Sequence, residues 1–466
     1  MTMKTVITNA EVEGRHVSVV IDDGHIVEIS EDVETLNVDV VEADVVDARG
    51  GALIVGLHDH HVHLLAMAAR REGIDLDPLQ TPLAFDDALR LASANSETGW
   101  LRASGYDEHR HGVLDCRRLD ALVGNRPLRV QHRSGLAWVL STAALDLVLN
   151  GELPDGVELD PDGIPTGWLL RLDEWIADRI PPTAPSLREV GAELARFGIT
   201  GVTDATPNLG QGRLGLLRSA VSDRSLPQRL VLLGVDDPAA VADFARVGPA
   251  KIVIDEVTGL DPDALARIIF AHHLKDRAVA IHAVSRAETV TAVTALALAG
   301  TYPGDRIEHG SVLPEDLDAI LAGGSVTVVI QPGLVGERGD HYLSSVDRED
   351  LPFLHRAASL QSAGIAVAIG SDAPVTSADP WATIATATTR QTRSGNVIGE
   401  SERVDARTAL GWYLTDPLDP GGSPRRVVCA RAADLCLLDA PLDEVLAAPD
   451  AAHVRMTWVG GRLVHP

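Results

Sequence analysis

The chain has 466 residues, with 40 basic against 67 acidic side chains and a net charge of −27. That balance argues against a nucleic-acid or anionic-membrane surface, since both need basic patches, although acidity also serves solubility alone. With 45% hydrophobic residues there is ample material for a packed core, and the length fits one large barrel plus an accessory unit.

The three cysteines, Cys116, Cys429 and Cys436, are odd in number and scattered, which implies no disulfide framework and points to a reducing compartment. The opening Met-Thr-Met-Lys-Thr-Val lacks the apolar core of a signal peptide, and no run approaches about 18 apolar residues, so a cytoplasmic protein is expected. The expected partner is a small-molecule substrate, with neither nucleic acid nor membrane, and a homodimer is an option.

In chain order, the first ~50 residues read as short strands. Thr5–Thr8, Val17–Ile21 and Ile26–Ile29 are rich in β-formers, Asp22-Asp23-Gly24 is a hairpin signal, and Val45–Asp47 continues the pattern. Beyond them β-runs alternate with helical stretches, the signature of parallel α/β architecture. The candidate strands are Ala52–Val55, Leu128–His132, Thr200–Thr203, Lys251–Ile254, Val279–His282, Arg306–His309, Val326–Ile330 and Ile365–Ile369, as many as a TIM-type barrel requires. Helices are expected at Ser186–Phe197, Pro262–Leu274, Ala287–Ala299, Pro314–Leu321 and Leu354–Ala363. The interval 64–127 is too long for one crossover and must carry an insert, and 140–185 is rich in Pro–Gly turns. The last ~45 residues return to strands, Asp434–Leu438 and a pair around Gly460-Gly461. The expected fold is α/β: a distorted (β/α)8 TIM-type barrel over residues 51–420, with a small β-sandwich domain formed by both termini, 1–50 and 421–466.

The stretch Val-Gly-Leu-His-Asp-His-His-Val-His at 55–63 carries the first chemical signal. On a strand, residues i and i+2 share a face, so His61 and His63 project side by side, with Asp59 in the same parity. Neutral imidazole is the commonest protein ligand for a transition metal. Alone, the pair also has a lesser reading as a His-rich turn at a strand end. His282 and His309 end later strands, however, and Asp372 follows the last in Gly-Ser-Asp-Ala-Pro. Barrel active sites lie at the C-terminal ends of the strands. Each of these residues alone reads as a structural side chain; four positions in register along one barrel argue for a metal site.

This pattern resembles the amidohydrolase superfamily, through His61-Val-His63, His282, His309 and Asp372 and through the split β-domain at the termini. Within it the chain is most similar to the branch called amidohydrolase family 3, or YtcJ-like. The supporting motifs are the long insert with Arg126-Pro127, Ser134-Gly-Leu-Ala-Trp-Val-Leu-Ser141, Gly163-Ile-Pro-Thr-Gly167 and Gly370-Ser-Asp-Ala-Pro-Val375. One departure is Ser134-Gly135-Leu136, where such proteins often have Asp-Gly-His, so substrate preference does not simply carry over.

The resemblance implies two divalent metal ions, most simply Zn²⁺, held by His61, His63, His282, His309 and Asp372. A one-metal site is the alternative. It also implies a fourth-strand ligand: Lys251 as its carbamate, with Glu256 the second choice at the strand's rim. The implied chemistry is metal-activated hydroxide attacking an amide-like carbonyl, with Asp372 as general base and then acid. The expected activity is hydrolysis of a non-peptide C–N bond (amide, N-acyl or formamide-like). The alternatives are a deaminase or an ester or lactone hydrolase on the same site, or a non-catalytic metal-binding regulator.

Three further residues have two readings each. Arg133 holds a substrate carboxylate or pairs with an acidic neighbour. Gln331 presents its amide to substrate or merely ends its strand. Asp204 orients a ligand histidine or caps a turn. The pairs His272/His273 and His109/His111 read as surface histidines.

Overall fold

The computed structural model describes residues 4–31, 43–95, 99–149, 151, 153–172, 175–176, 178–180, 185–256 and 259–466. It is an α/β protein that divides into two compact units: Met1–Leu64 with Leu187–Pro466, and Leu65–Ser186.

In the first unit, strands Thr5–Val12, Arg15–Asp22, His25–Ser30 and Asp44–Asp47 form a four-stranded sheet, with the hairpin predicted at Asp22-Asp23-Gly24. A second four-stranded sheet joins Leu53–Val55 to Leu435–Leu438, Val454–Val459 and Arg462–His465. Ile7, Val19 and Ile26 from the first sheet share one buried cluster with Leu53, Leu435 and Trp458 from the second.

Two parallel sheets carry the rest of this unit. One pairs Leu57–Val62, Ile199–Asp204, Arg229–Leu232 and Arg246–Val247, and the other runs through Ala250–Val253, Val279–Ala283, Arg306–His309, Thr327–Ile330 and Ala366–Ile369. Strands Arg306–His309, Thr327–Ile330 and Ala366–Ile369 are near-continuously buried, as expected for parallel strands covered on both faces. Backbone bonds bridge the two sheets. Lys251 N donates to Leu233 O at 3.3 Å, and Asp372 N donates to His61 O at 2.7 Å. Helices Arg188–Arg196, Pro262–His273 and Arg286–Ala299 alternate with the strands, near their expected positions. The last is closed by a reciprocal Ser285/Glu288 capping box, which the Ser-Arg-Ala-Glu spacing encodes.

Two expected strands belong elsewhere. Ala52–Val55 does not bear the histidine pair; Leu53–Val55 pairs antiparallel with Leu435–Leu438, and a new strand begins at Leu57. The switch falls at Gly56, whose N–H goes to Asp434 O while that of Leu57 goes to Gly198 O. A Cβ at Gly56 would sit 2.0 Å from Thr200 Cγ2, so only glycine lets the two sheets exchange the chain there. Leu128–His132 lies in the Leu65–Ser186 unit, in a six-stranded sheet between Ala137–Leu140 and Leu101–Tyr106. The strand missing from the expected set is Arg229–Leu232. Both runs are short and β-rich, and propensity cannot tell which sheet a run will join.

Candidate metal centre

His61 sits on Leu57–Val62 and His63 just beyond it; His282 and His309 lie on neighbouring strands in the register Ala283↔His309, and Asp372 follows Ala366–Ile369. The structure brings all five together. The ring centroids of His61 and His309 are 4.7 Å apart, those of His282 and His309 4.6 Å, and those of His61 and His63 5.3 Å. Asp372 Oδ1 lies 3.2 Å from His63 Nε2 and 3.6 Å from His61 Nε2. One ligand atom each from His61, His309 and Asp372 falls within a 4.8 Å span.

The backbone is bent to make this arrangement. His309 and Asp372 adopt left-handed φ of 74° and 58°. For residues with a Cβ that conformation costs of order 1–3 kcal/mol, and it persists where surrounding structure enforces it, often at functional sites. Gly370 lets the last strand approach the first; a Cβ there would lie 2.4 Å from His61 Cβ.

The electrostatics favour metal-ready forms. Burial, then the positive charge of Lys251, pushes His61 down to about 3. Burial, then His309 and Lys251, takes His282 to about 2, and burial also lowers His309. Neutral imidazole is the form that binds a cation. Burial alone would raise Asp372, but its bond to His63 and the fields of His309 and His61 hold it well below the usual carboxylate range. It is therefore ionised at neutral pH.

Lys251 belongs to the same cluster. Its Nζ is buried without a hydrogen-bond partner, and burial lowers its affinity for a proton. Glu256, by contrast, is exposed and accepts a hydrogen bond from Ser285 Oγ. The buried His61 Nε2 is also without a partner. Buried polar atoms left unpaired cost about 1–3 kcal/mol each, so each calls for an explanation. A divalent cation among two imidazoles and a carboxylate would supply one for His61 Nε2. The donor set, nitrogen and oxygen without sulfur, suits zinc and other transition metals.

Around the cluster, Gln331 engages both ends of its amide: Oε1 accepts from His309 Nδ1 at 2.9 Å, and Nε2 donates to Val329 O at 3.0 Å. Asp204 caps its turn, accepting from Thr206 N at 2.9 Å and Leu64 N at 3.0 Å. That turn presents Thr206 Oγ1, 3.2 Å from His63 Nδ1. Asp59 Oδ1 accepts from the backbone N–H groups of His61 and Ser371, both at 3.0 Å. Arg133 lies in the Leu65–Ser186 unit, where its guanidinium is engaged by Asp107. His111 corrects an expectation, being buried rather than on the surface: Asp107 N donates to its Nδ1 at 3.0 Å, and its Nε2 donates to Leu79 O at 2.9 Å.

Sequence reasoning missed Glu308 and Arg306, both fully buried beside His61. The signal was present in Arg-Ile-Glu-His: two charged residues on one face of a strand inside a parallel sheet have no solvent to face.

A family model described as Amidohydrolase family matches residues 44–465. The N-substituted formamide deformylase of Arthrobacter pascens is 25% identical over 96% of this chain and 94% of its own length. The putative amidohydrolase YtcJ of Bacillus subtilis (strain 168) is 23% identical over 80% of each chain. Among solved structures, an uncharacterised metal-dependent hydrolase from Pyrococcus horikoshii OT3 shares the fold, with a TM-score of 0.75 at 18% identity over 97% of this chain and 99% of that one.

Proposed function

The chain belongs to the amidohydrolase family, and from that premise we propose that it is a metal-dependent hydrolase cleaving the non-peptide C–N bond of a small N-acyl, formamide-like or cyclic amide. The observation that carries this reading is the convergence of His61, His309 and Asp372 within 4.8 Å beside the unpartnered Nζ of Lys251. The similarity to a formamide deformylase along nearly the whole chain favours the formamide-like class.

On this reading His61, His63, His282, His309 and Asp372 would hold the divalent ions, most simply Zn²⁺. Lys251, as the carbamate its neutral amine forms with CO₂, would be a further oxygen ligand. The carbamate turns a buried cation into an anionic oxygen ligand and removes the burial problem of Nζ. Bound divalent ions supply water acidified to near neutrality and a Lewis acid for the carbonyl. Asp372, ionised at rest, takes the proton of the attacking water and delivers it to the leaving nitrogen. Gln331 is the proposed substrate contact at the cluster, and it would exchange a present partner for substrate. The same reading closes the two parallel sheets into a (β/α)8 barrel through the bonds at Lys251 and Asp372, with the terminal sheets as a β-sandwich. It takes residues 51–420 as the barrel domain, interrupted by the Leu65–Ser186 unit. A cytoplasmic enzyme, with a homodimer as an option and no nucleic-acid or membrane partner, fits the composition. Among the described residues no helix is long and apolar enough to cross a membrane.

The test is metal analysis of the purified protein with amine release from a panel of N-formyl and N-acyl amines. Asp372→Asn should lower turnover by about 10²–10⁴-fold, the usual contribution of a general base, with metal content near that of the wild type. Full activity in that variant would remove Asp372 from its role. Ammonia or an alcohol as the released group would instead favour the deaminase or esterase reading.

A further inference from the structure

We propose that Arg306 and Glu308 are positioning residues that hold His61 in the tautomer whose Nε2 lone pair faces the metal. This rests on the metal-dependent reading above and adds residues to it.

Arg306 and Glu308 have the same parity on the Arg306–His309 strand, so both side chains project to one face. They are 1% and 0% exposed. Arg306 Nε donates to Glu308 Oε1, and Arg306 Nη2 donates to His60 O at 3.0 Å. Glu308 Oε2 receives the hydrogen bond of His61 Nδ1. The two carboxylate oxygens are thus divided between one arginine and one imidazole.

An ionised carboxylate only accepts hydrogen bonds. The proton of neutral His61 must therefore reside on Nδ1, which leaves Nε2 as a bare lone pair. That atom is buried, unpartnered and 3.6 Å from Asp372 Oδ1. Of three ligand histidines, His309 is backed by the neutral amide of Gln331 and His63 by the hydroxyl of Thr206. His61 alone of these three is backed by a full charge, which fixes its ring and tautomer most firmly.

A purely structural role accounts poorly for this arrangement. Burying an ion pair rarely stabilises a fold more than well-packed apolar residues of similar volume. The pair does supply a fixed orientation. The Arg306 bond to His60 O also ties the sixth-strand carboxylate to the backbone that carries His61.

Glu308→Gln tests the proposal with little change of shape. The glutamine can offer its oxygen to Arg306 only by turning its NH₂ towards His61 Nδ1. The imidazole must then place its proton on Nε2, the wrong atom for a metal. The expected result is a Zn²⁺ or Co²⁺ dissociation constant weakened about 10–100-fold, read by competition with a chromophoric chelator. The metal-free melting temperature should fall, because the Arg306 guanidinium stays buried without its counter-charge. The double variant Arg306→Met with Glu308→Leu replaces the pair by apolar residues. It should be at least as stable without metal and bind metal equally weakly. Metal affinity unchanged in either variant, with wild-type protein binding metal, overturns the positioning role alone. Wild-type protein that takes up no divalent ion overturns the metal reading and this inference with it.

Discussion

Two regions of the same compact unit treat charge in opposite ways. A cavity of about 850 Å³ opens beside the terminal sheets, walled by Val12, Leu53, Val55, Leu410, Leu414 and Val427. The charges around it are matched: Arg426 with Glu13, Arg407 with Asp443, and Arg425 with the carbonyls of Leu414, Thr415 and Gly56. The histidine cluster at the strand ends leaves His61 Nε2 and Lys251 Nζ buried and unpaired. The first region offers room, and the second unspent bonding capacity. A ligand that binds tightly must repay desolvation with bonds, which favours the cluster over the cavity as the seat of the chemistry.

The sharpest way to break this contrast is Lys251→Met. If Lys251 is a metal ligand as proposed, its removal should reduce bound metal to one ion or none. Activity should fall by more than the about 10–100-fold typical of losing a partner behind a ligand. The metal-free fold should melt higher than the wild type, because a buried amine without a partner has been replaced by a thioether that needs none. Accurate mass of the wild-type protein, searched for a CO₂ adduct, checks the same assignment. A Lys251→Met protein with full metal content and lower stability would place Lys251 among ordinary structural lysines.

His355 extends the comparison to a group beside the cluster. Both ring nitrogens are buried without partners, and burial, followed by the charges of Arg390 and His309, pushes it down to about 3. The unfolded chain takes up this proton near 6.5, whereas the folded chain refuses it until about 3. Between those values the unfolded state binds more protons, so stability falls as pH falls. One such group contributes a slope of up to about 1.4 kcal/mol per pH unit. His355→Phe, which keeps a ring beside Tyr342, should flatten the acid limb of metal-free stability by that amount. An unchanged limb, followed by denaturant melts from pH 7 to 4, would show that His355 is hydrated and titrates normally.

How much of this was legible in the sequence depended on how local the encoding was. His61, His63, His282, His309 and Asp372 were readable because each closes a short β-run, and strand ends in a parallel sheet all face one rim. The Glu308–His61 bond spans 247 positions, and no local pattern announces a contact of that range. The split of 53–62 into strands of two different sheets turns on Gly56, which reads as an interruption only once Thr200 is seen against it. Lys251 needed both levels: its place on the fourth strand was visible, but only packing reveals that Nζ finds no partner.

The matched region offers the smallest expected effect and the cleanest control. Arg407 and Arg426 have side chains 59% and 66% exposed, so water screens their pairs with Asp443 and Glu13 and competes for the same donors. If the cavity is a consequence of packing two sheets beside the Ala406–Tyr413 helix, both arginines can be cut back without a trace in the chemistry. Arg407→Ala combined with Arg426→Ala should leave metal content, kcat and KM unchanged and the melting temperature within measurement error. A fall in kcat with metal retained would mean that the cavity is coupled to the strand-end cluster. Because the two regions share the strand pair joined at Gly56, such coupling would run through the switch from Leu53–Val55 to Leu57–Val62. Hydrogen exchange on those two strands, compared between wild type and the double variant, would locate it.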